Sequence, residues 1–174
     1  MESGFYRLHD NKQAVQTITI PVVFRIVMTN PSSITDQQIL WQLDTLNKTY
    51  AGMNADSVKI PSYFKSLFGK SQLQFCLAQR TPDDEPSTGI VQYVTNVDSF
   101  STNNSVKQSS TGGAAAWNTE KYFSVWVCVL SNGILGYATF PDDGYASEQG
   151  VVIDYSSRPA VLRRSAFENR NQVC

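Results

Sequence analysis

Histidine is the scarcest functional residue of this chain, since His9 is the only one among its 174 residues. The cysteines Cys76, Cys128 and Cys174 are far apart in sequence, and no pair has the C-x-x-C spacing of a metal site. A zinc site needs three or four nitrogen, sulfur or oxygen ligands in near-tetrahedral geometry. The sequence therefore predicts that this chain alone holds no metal ion.

Other catalytic signatures are missing as well. There is no G-x-S-x-G motif, and His9 lies in a polar terminal stretch, so a nucleophilic triad is not expected. The glycine pair at 112–113 lacks the lysine and the spacing of a phosphate-binding loop. Carboxylates cluster at 83–85 and 142–143, beside proline or glycine. We interpret them as solvated turn residues, with weak calcium ligation as the alternative.

Charge and hydropathy exclude several classes of partner. The formal net charge is −1, whereas nucleic acid and anionic membranes both require a concentrated basic surface. No apolar run approaches the roughly 20 residues that span a bilayer. The N-terminus lacks the pattern of a secretory signal, so either export is absent or the true start lies upstream. With 41% apolar residues, the chain can form one domain with a substantial core.

The first half of the chain predicts a buried strand followed by an amphipathic helix. Thr17 to Met28 is rich in β-branched residues, and its near-continuous apolar run predicts a central strand in which Arg25 must find a partner or water. Thr35 and Gln38 form a capping box, and Gly52 marks the end of the helix. An apolar stripe at helical spacing should face the sheet, and it comprises Ile39, Leu43, Leu46 and Tyr50.

The remaining pattern predicts further strands and one short helix. The short helix begins at Pro61, with Phe64, Leu67 and Phe68 facing inward. Residues 98–113 are rich in Ser, Thr, Asn and Gly and predict a mobile loop. The predicted strands are Leu73 to Gln79, Gly89 to Val97, Tyr122 to Leu130, Gly133 to Phe140 and Val151 to Tyr155.

The cysteines are interpreted from their predicted positions. Cys76 and Cys128 lie in predicted strands, which favours buried free thiols. A disulfide between them stays open, because it would need α-carbons within about 7 Å. Cys174 is terminal and is expected to be exposed and without a role.

Six segments carry a recognisable pattern, and they are IPVVFRIVMTN (20–30), ITDQQILWQLDTLNKTYAGMNAD (34–56), LQFCLAQRTPDDEPSTGI (73–90), AAAWNTEKYFSVWVC (114–128), NGILGYATFP (132–141) and GVVIDY (150–155). Together they resemble the pappalysin-type (ulilysin- and cytophagalysin-like) metzincins, a family of secreted zinc endopeptidases. The resemblance runs from about residue 20 to residue 155 and covers the strands, the first helix and the loops between them.

The resemblance implies a fold as well as a family. We expect an α/β fold of the α+β type, with a mixed twisted sheet of about five strands and a backing helix. Residues 1–16 would be a polar N-terminal segment, residues 17–155 the metzincin-like N-terminal subdomain, and residues 156–174 an atypical basic tail. In the family, the helix H-E-x-x-H-x-x-G-x-x-H follows, with three zinc ligands and the general base. Here the sequence after Tyr155 reads SSRPAVLRRSAFENRNQVC.

The resemblance also implies a function. The complete family member would hydrolyse peptide bonds outside the cell with zinc, and calcium is a second candidate ion. This chain, without the zinc motif, is predicted to be inactive alone, and the alternative is a non-catalytic peptide-binding or interaction module. Self-association through a sheet face uncovered at Val125, Val127 and Val151 is a further expectation.

The predicted binding element is the strand that resembles the upper rim of the metzincin substrate cleft. An exposed edge strand can pair with an extended peptide through main-chain hydrogen bonds. An ordinary protected edge strand is the open alternative. The candidate substrate-binding residues are Gly133, Ile134, Leu135, Gly136, Tyr137 and Ala138.

Overall fold

The computed structural model describes residues 16–141, residues 144–155 and Cys174. His9, the carboxylates at 142–143 and the basic tail at 156–173 lie outside this part of the chain, and so do the expectations placed on them. Within the described residues, no helix is long and apolar enough to cross a membrane.

The centre of the fold is a mixed six-stranded sheet, which confirms the predicted fold class with one strand more than expected. The strands are β1 (Ile18–Met28), β2 (Leu73–Leu77), β3 (Ile90–Val94), β4 (Phe123–Cys128), β5 (Gly136–Thr139) and β6 (Gly150–Asp154). The long strand β1 pairs with β2 along its first half and with β3 along its second half, and the spatial order is β2-β1-β4-β6-β5. All pairs are parallel except the antiparallel pair of β5 and β6.

The α-helix α1 (Asp36–Tyr50) packs on one face of the sheet. Thr35 and Gln38 form the predicted capping box, each side chain bonding the other residue's backbone N–H. Ile39 and Leu43 are buried, and the first core cluster lies between them and β1 and β4. Short 3₁₀ helices occupy Pro31–Ser33, Ala55–Lys59, Ser62–Leu67, Ser105–Lys107, Ser109–Thr111 and Ala146–Glu148.

Both faces of the sheet centre are buried. Val125 and Val127 belong to the cluster beneath α1 and are only 6% and 8% exposed. The expectation that these two valines lie on an uncovered face is therefore wrong, and Val151 is half-buried. Trp126 points to the opposite face, where it forms a second cluster with Val27 and Val106.

Two of the predicted segments behave differently in the structure. The segment after Pro61 forms a 3₁₀ helix rather than an α-helix, and Leu67 is 76% exposed instead of facing the core. Phe64 and Phe68 are exposed as well, because six residues are too few to form a stable α-helix that could dock an apolar stripe. By contrast, the loop at 98–113 is packed rather than peripheral, since Val106 and Lys107 in it are buried.

The cysteine interpretation is half right. Cys128 is a buried free thiol, as predicted. Cys76, however, forms a disulfide with Cys174, with the two α-carbons 5.2 Å apart. Cys174 is exposed as expected, but it does have a role. The partners are separated by 98 residues, which is why local sequence carried no signal of this pairing.

Backbone groups on the outer side of β2 are hydrogen-bonded by side chains and by the chain end. Asn47 of α1 donates from Nδ2 to the carbonyl of Phe75 (2.8 Å) and accepts from its N–H through Oδ1 (2.7 Å). The N–H of Cys174 donates to the carbonyl of Leu77 (3.1 Å). The N–H of Leu73 donates to the hydroxyl of Ser71 (2.9 Å). The β2 part of this edge is therefore covered, whereas within the described residues no such contact reaches Gln92 in the β3 part of the same edge.

Candidate functional site

The candidate binding segment lies at the other edge of the sheet. β5 pairs with β6, and no described strand pairs with its outer side. Of the six predicted residues, Gly136, Tyr137 and Ala138 lie in β5, whereas Gly133, Ile134 and Leu135 precede it. Gly133, Leu135, Gly136 and Ala138 are exposed, and Ile134 and Tyr137 are half-buried.

The hydrogen-bond alternation shows which backbone groups are available at this edge. The N–H of Asp154 donates to the carbonyl of Leu135 (2.9 Å), in the same register that pairs Tyr137 with Val152. In an antiparallel pair, hydrogen-bonded and non-hydrogen-bonded residue pairs alternate. Gly136 and Ala138 therefore turn their N–H and C=O groups away from β6, in the geometry that an added strand requires.

The structure explains why position 136 is a glycine, which the sequence did not reveal. A β-carbon at this position would lie 2.7 Å from the carbonyl oxygen of Val152 in β6. A glycine within a strand often marks the close approach of another backbone, such as that of a ligand. In the structure, the closely approaching backbone is that of the neighbouring strand, so the glycine on its own is not a sign of a ligand.

The inner face of β5 rests on a buried lysine. Lys107 is 2% exposed, and its Nζ donates to Oγ1 of Thr139 (2.7 Å) and to the carbonyl of Glu148 (2.5 Å). The same Nζ lies 5.3 Å from the ring centre of Trp126 and 5.2 Å from that of Tyr137, which is cation–π range.

Burial shifts the titration of this group and its neighbours. Desolvation lowers the pKa of Lys107 to about 8, and the nearby charge of Glu148 acts in the opposite direction. Desolvation also raises the pKa of the Tyr137 hydroxyl to about 12 and that of the Cys128 thiol to about 12. The tyrosine and the thiol therefore stay neutral at physiological pH.

Arg25, which the sequence left in need of a partner, has several. Its Nε donates to the carbonyl of Ala115 (2.9 Å), and its Nη1 donates to Oγ of Ser124 (3.1 Å). Its guanidinium carbon lies 5.4 Å from the ring centre of Trp117 and 5.6 Å from that of Trp126. Burial lowers the pKa of Arg25 to about 10, while Tyr93 raises it.

The described residues do not fit a metal ion. Among residues 16–141, 144–155 and 174, no group of three or more His, Cys, Asp or Glu side chains could hold one. Asp83, Asp84 and Glu85 are exposed in a turn, where Asp84 contacts Arg80. The zinc of the family therefore has no ligand set in this part of the chain, and no chemical step here depends on it.

A mixed sheet with one backing helix and an antiparallel edge strand is the architecture of a metzincin-like upper subdomain. Three solved structures share it. Mirolysin in complex with compound 9 aligns at 41% identity and a TM-score of 0.76 over 80% of this chain. Mature mirolysin of Tannerella forsythia with a cleaved peptide aligns at 41% and 0.77 over 81%. A promirolysin mutant of the same organism aligns at 38% and 0.75 over 82%.

The chain therefore resembles a metalloprotease over about 80% of its length, which agrees with the resemblance to pappalysin-type metzincins seen in the sequence. It spans about half the length of these structures, covering 53%, 54% and 48% of them. No protein-family model matches the chain, and no curated protein matches it either.

Sequence reasoning missed Lys107, Thr139 and Asn47. Lys107 stands in a polar loop, where a lysine is normally a solvated surface residue. A hint lay in its neighbour Val106, an isolated apolar residue in a polar stretch. No local signal marks Asn47, because its partner Phe75 is 28 residues away.

Proposed function

We propose that this chain is the peptide-binding upper part of a zinc-dependent metalloendopeptidase, and that its edge strand β5 binds the substrate backbone. The outward backbone groups of Gly136 and Ala138 at an unpaired edge carry this proposal. The likeness to mirolysin supports it independently, because one of those structures contains a cleaved peptide. The ligand would be an extended peptide that adds a strand to the sheet.

Peptide-bond hydrolysis belongs, in this proposal, to the whole protein. Its zinc would polarise the scissile carbonyl and activate water. The described residues lack a ligand set for zinc. This chain alone should therefore bind peptide without cleaving it. The alternative function is a non-catalytic peptide-binding module with the same edge strand. Metal analysis of the purified chain tests whether this chain alone lacks the zinc of the whole protein. About one tightly held zinc per chain would overturn the proposal.

We further propose that the protein works outside the cell. Family resemblance suggests secretion, and the Cys76–Cys174 disulfide is a second, independent support. Structural disulfides persist in oxidising compartments and are rare in the cytosol of most organisms. The free thiol of Cys128 is compatible with this location because it is buried.

The edge-strand proposal can be tested by paired proline substitutions. Proline has no N–H, so Ala138→Pro removes a donor that faces the proposed peptide. Gln92→Pro is the matched control, because Gln92 lies in β3 at the opposite edge. The N–H of Thr95 and the carbonyl of Gly89 both face β1, and by alternation the N–H of Gln92 faces away.

The measurement is a titration of the ¹⁵N-labelled chain with an unstructured decapeptide, followed by amide chemical shifts. We expect the amides of Gly136 and Ala138 to shift most in the wild type. Ala138→Pro should weaken binding by about two- to tenfold, the effect of losing one hydrogen bond. Gln92→Pro should bind as the wild type does. Equal binding by both variants would exclude β5 as the peptide site.

A further inference from the structure

We infer that Lys107 is a positioning residue for the edge strand, whose ammonium group fastens β5 and the turn before β6 to the loop at 98–113. Its consequence for peptide affinity depends on the function proposed above. Its consequence for the conformation of β5 does not. An experiment can therefore contradict the proposed function without contradicting the role of Lys107 in positioning β5, and the reverse.

The geometry places a single charged group between the end of β5 and the residues just before β6. Nζ of Lys107 donates to Thr139 at the end of β5 and to the carbonyl of Glu148 just before β6. The side chain of Glu148 is held as well, since Oε2 accepts from Asn104 (2.9 Å) and Oε1 accepts from Gln108 (3.3 Å). Lys107 thus contacts both Thr139 and Glu148, and Asn104 and Gln108 contact Glu148.

The pairing of Thr139 with Gly150 and the bond from Gln149 to the carbonyl of Pro141 also hold the β5–β6 connection, and Lys107 links it to the loop at 98–113. A buried ammonium is costly unless its donors are satisfied, and Lys107 has two oxygen acceptors and two aromatic rings around it. An apolar residue of similar length would fill the space but leave the hydroxyl and the carbonyl without this donor. The position of β5 should therefore depend on the charged group rather than on packing alone.

Two buried cations on the same tryptophan provide a matched comparison. Lys107 and Arg25 both lie within cation–π distance of Trp126, and only Lys107 contacts β5. Lys107→Met and Arg25→Met each delete a buried charge beside that ring. Both should lower global stability, so this readout does not discriminate between them. The local hydrogen-exchange protection of β5 distinguishes the two variants.

The decisive measurement is hydrogen exchange of the Tyr137 and Thr139 amides without peptide, because these face β6. Protection factors are compared relative to the most protected amides of β1 and β4. We expect Lys107→Met to lower relative protection in β5 by about ten- to hundredfold, the range for hydrogen bonds to a charged group. Arg25→Met should leave it within about threefold. Equal changes in the two variants would overturn the inference.

A second pair of variants keeps the test valid if Lys107→Met does not fold. Thr139→Val removes the acceptor while preserving shape, and Thr139→Ser keeps the hydroxyl. Valine should loosen β5 and serine should not. Identical protection in both would contradict the inference. If Lys107→Met loosens β5 while the wild type binds no peptide, the positioning role stands and the proposed function fails.

Discussion

The outer strands β2 and β5 differ in whether their outward backbone groups are hydrogen-bonded. At the β2 edge, the outward backbone groups are hydrogen-bonded by Asn47, Ser71 and Cys174, and a disulfide fixes the chain end there. At the β5 edge, the outward groups of Gly136 and Ala138 have no such neighbour among the described strands. Exposed strand edges invite unwanted pairing, and proteins normally protect them. A fold that covers the backbone of β2 with three contacts and leaves the outward groups of β5 exposed is consistent with a binding role for β5.

The contacts at β2 and at β5 also come from different parts of the sequence. The β2 edge is covered from α1, from the turn before β2 and from the last residue of the chain. The β5 edge is supported from beneath, by a loop residue that reaches both ends of the β5–β6 connection. In this fold, two of the three contacts that cover β2 come from residues distant in sequence, whereas β5 is supported from behind by Lys107.

The largest expected effect comes from removing the covalent bond at the β2 edge. Cys174→Ser should lower the free energy of unfolding by about 2–5 kcal/mol, because the disulfide restrains a long loop in the unfolded chain. Urea denaturation of the oxidised wild type and the variant measures this difference. Reduction of the wild type should reproduce the effect, and reductant should leave the variant unchanged. A variant as stable as the oxidised wild type would show that the disulfide does not form in solution.

The next prediction concerns the helix that carries Asn47. Leu43 is fully buried under the sheet, so Leu43→Ala should cost about 2–5 kcal/mol through a core cavity. Leu67→Ala is the matched control, because Leu67 is 76% exposed and its truncation should change stability by less than about 0.5 kcal/mol. Thermal or urea unfolding of the two variants decides the matter. Similar losses in both would mean that the 3₁₀ segment after Pro61 packs against the core.

How much of this could be read from the sequence depends on the range of the interaction. The capping box of Thr35 and Gln38 spans three residues, and it was predicted and found. The central position of β1 was also predicted, because burial on both faces produces a continuous apolar run. Both features depend on residues that are close together in sequence, so the local pattern predicts them.

Features that depend on distant partners were missed or misread. The pairing of Cys76 with Cys174 and the bond of Asn47 to Phe75 join residues that only the fold brings together. The same applies to Lys107, whose contacts lie 32 and 41 residues away. The edge strand was located by family resemblance, but its outward-facing residues required the register of β5 against β6.

A smaller effect is expected from removing the side-chain cap on β2. Asn47→Ala should lower stability by about 1–3 kcal/mol, since it leaves the N–H and carbonyl of Phe75 without their partners. Gln37→Ala, at an exposed position of the same helix, is the control and should be nearly neutral. The variant should also self-associate more than the wild type in sedimentation velocity, because the edge is uncovered. An Asn47→Ala chain with unchanged stability and mass would show that water replaces the cap at no cost.

The smallest expected effect is a pH dependence at the support of the β5 edge. The folded-state pKa of Lys107 is lowered to about 8 from 10.5, so the folded chain releases this proton before the unfolded chain does. Between about pH 8 and pH 10.5 the unfolded state binds more protons at this site, and this contribution to stability rises with pH. The slope cannot exceed about 1.4 kcal/mol per pH unit, and partial solvation makes it smaller.

Cys128 acts in the opposite direction above about pH 9, because its pKa is raised to about 12 in the folded state. The Lys107 contribution is therefore isolated as the difference in unfolding free energy between the wild type and Lys107→Met, measured with urea at pH 7, 8 and 9. The Cys128 contribution is common to both and cancels. We expect the wild type to gain on the variant as the pH rises. A difference that stays constant or shrinks would mean that the ammonium is solvated in the folded chain, and the support beneath β5 would then be weaker than its geometry indicates.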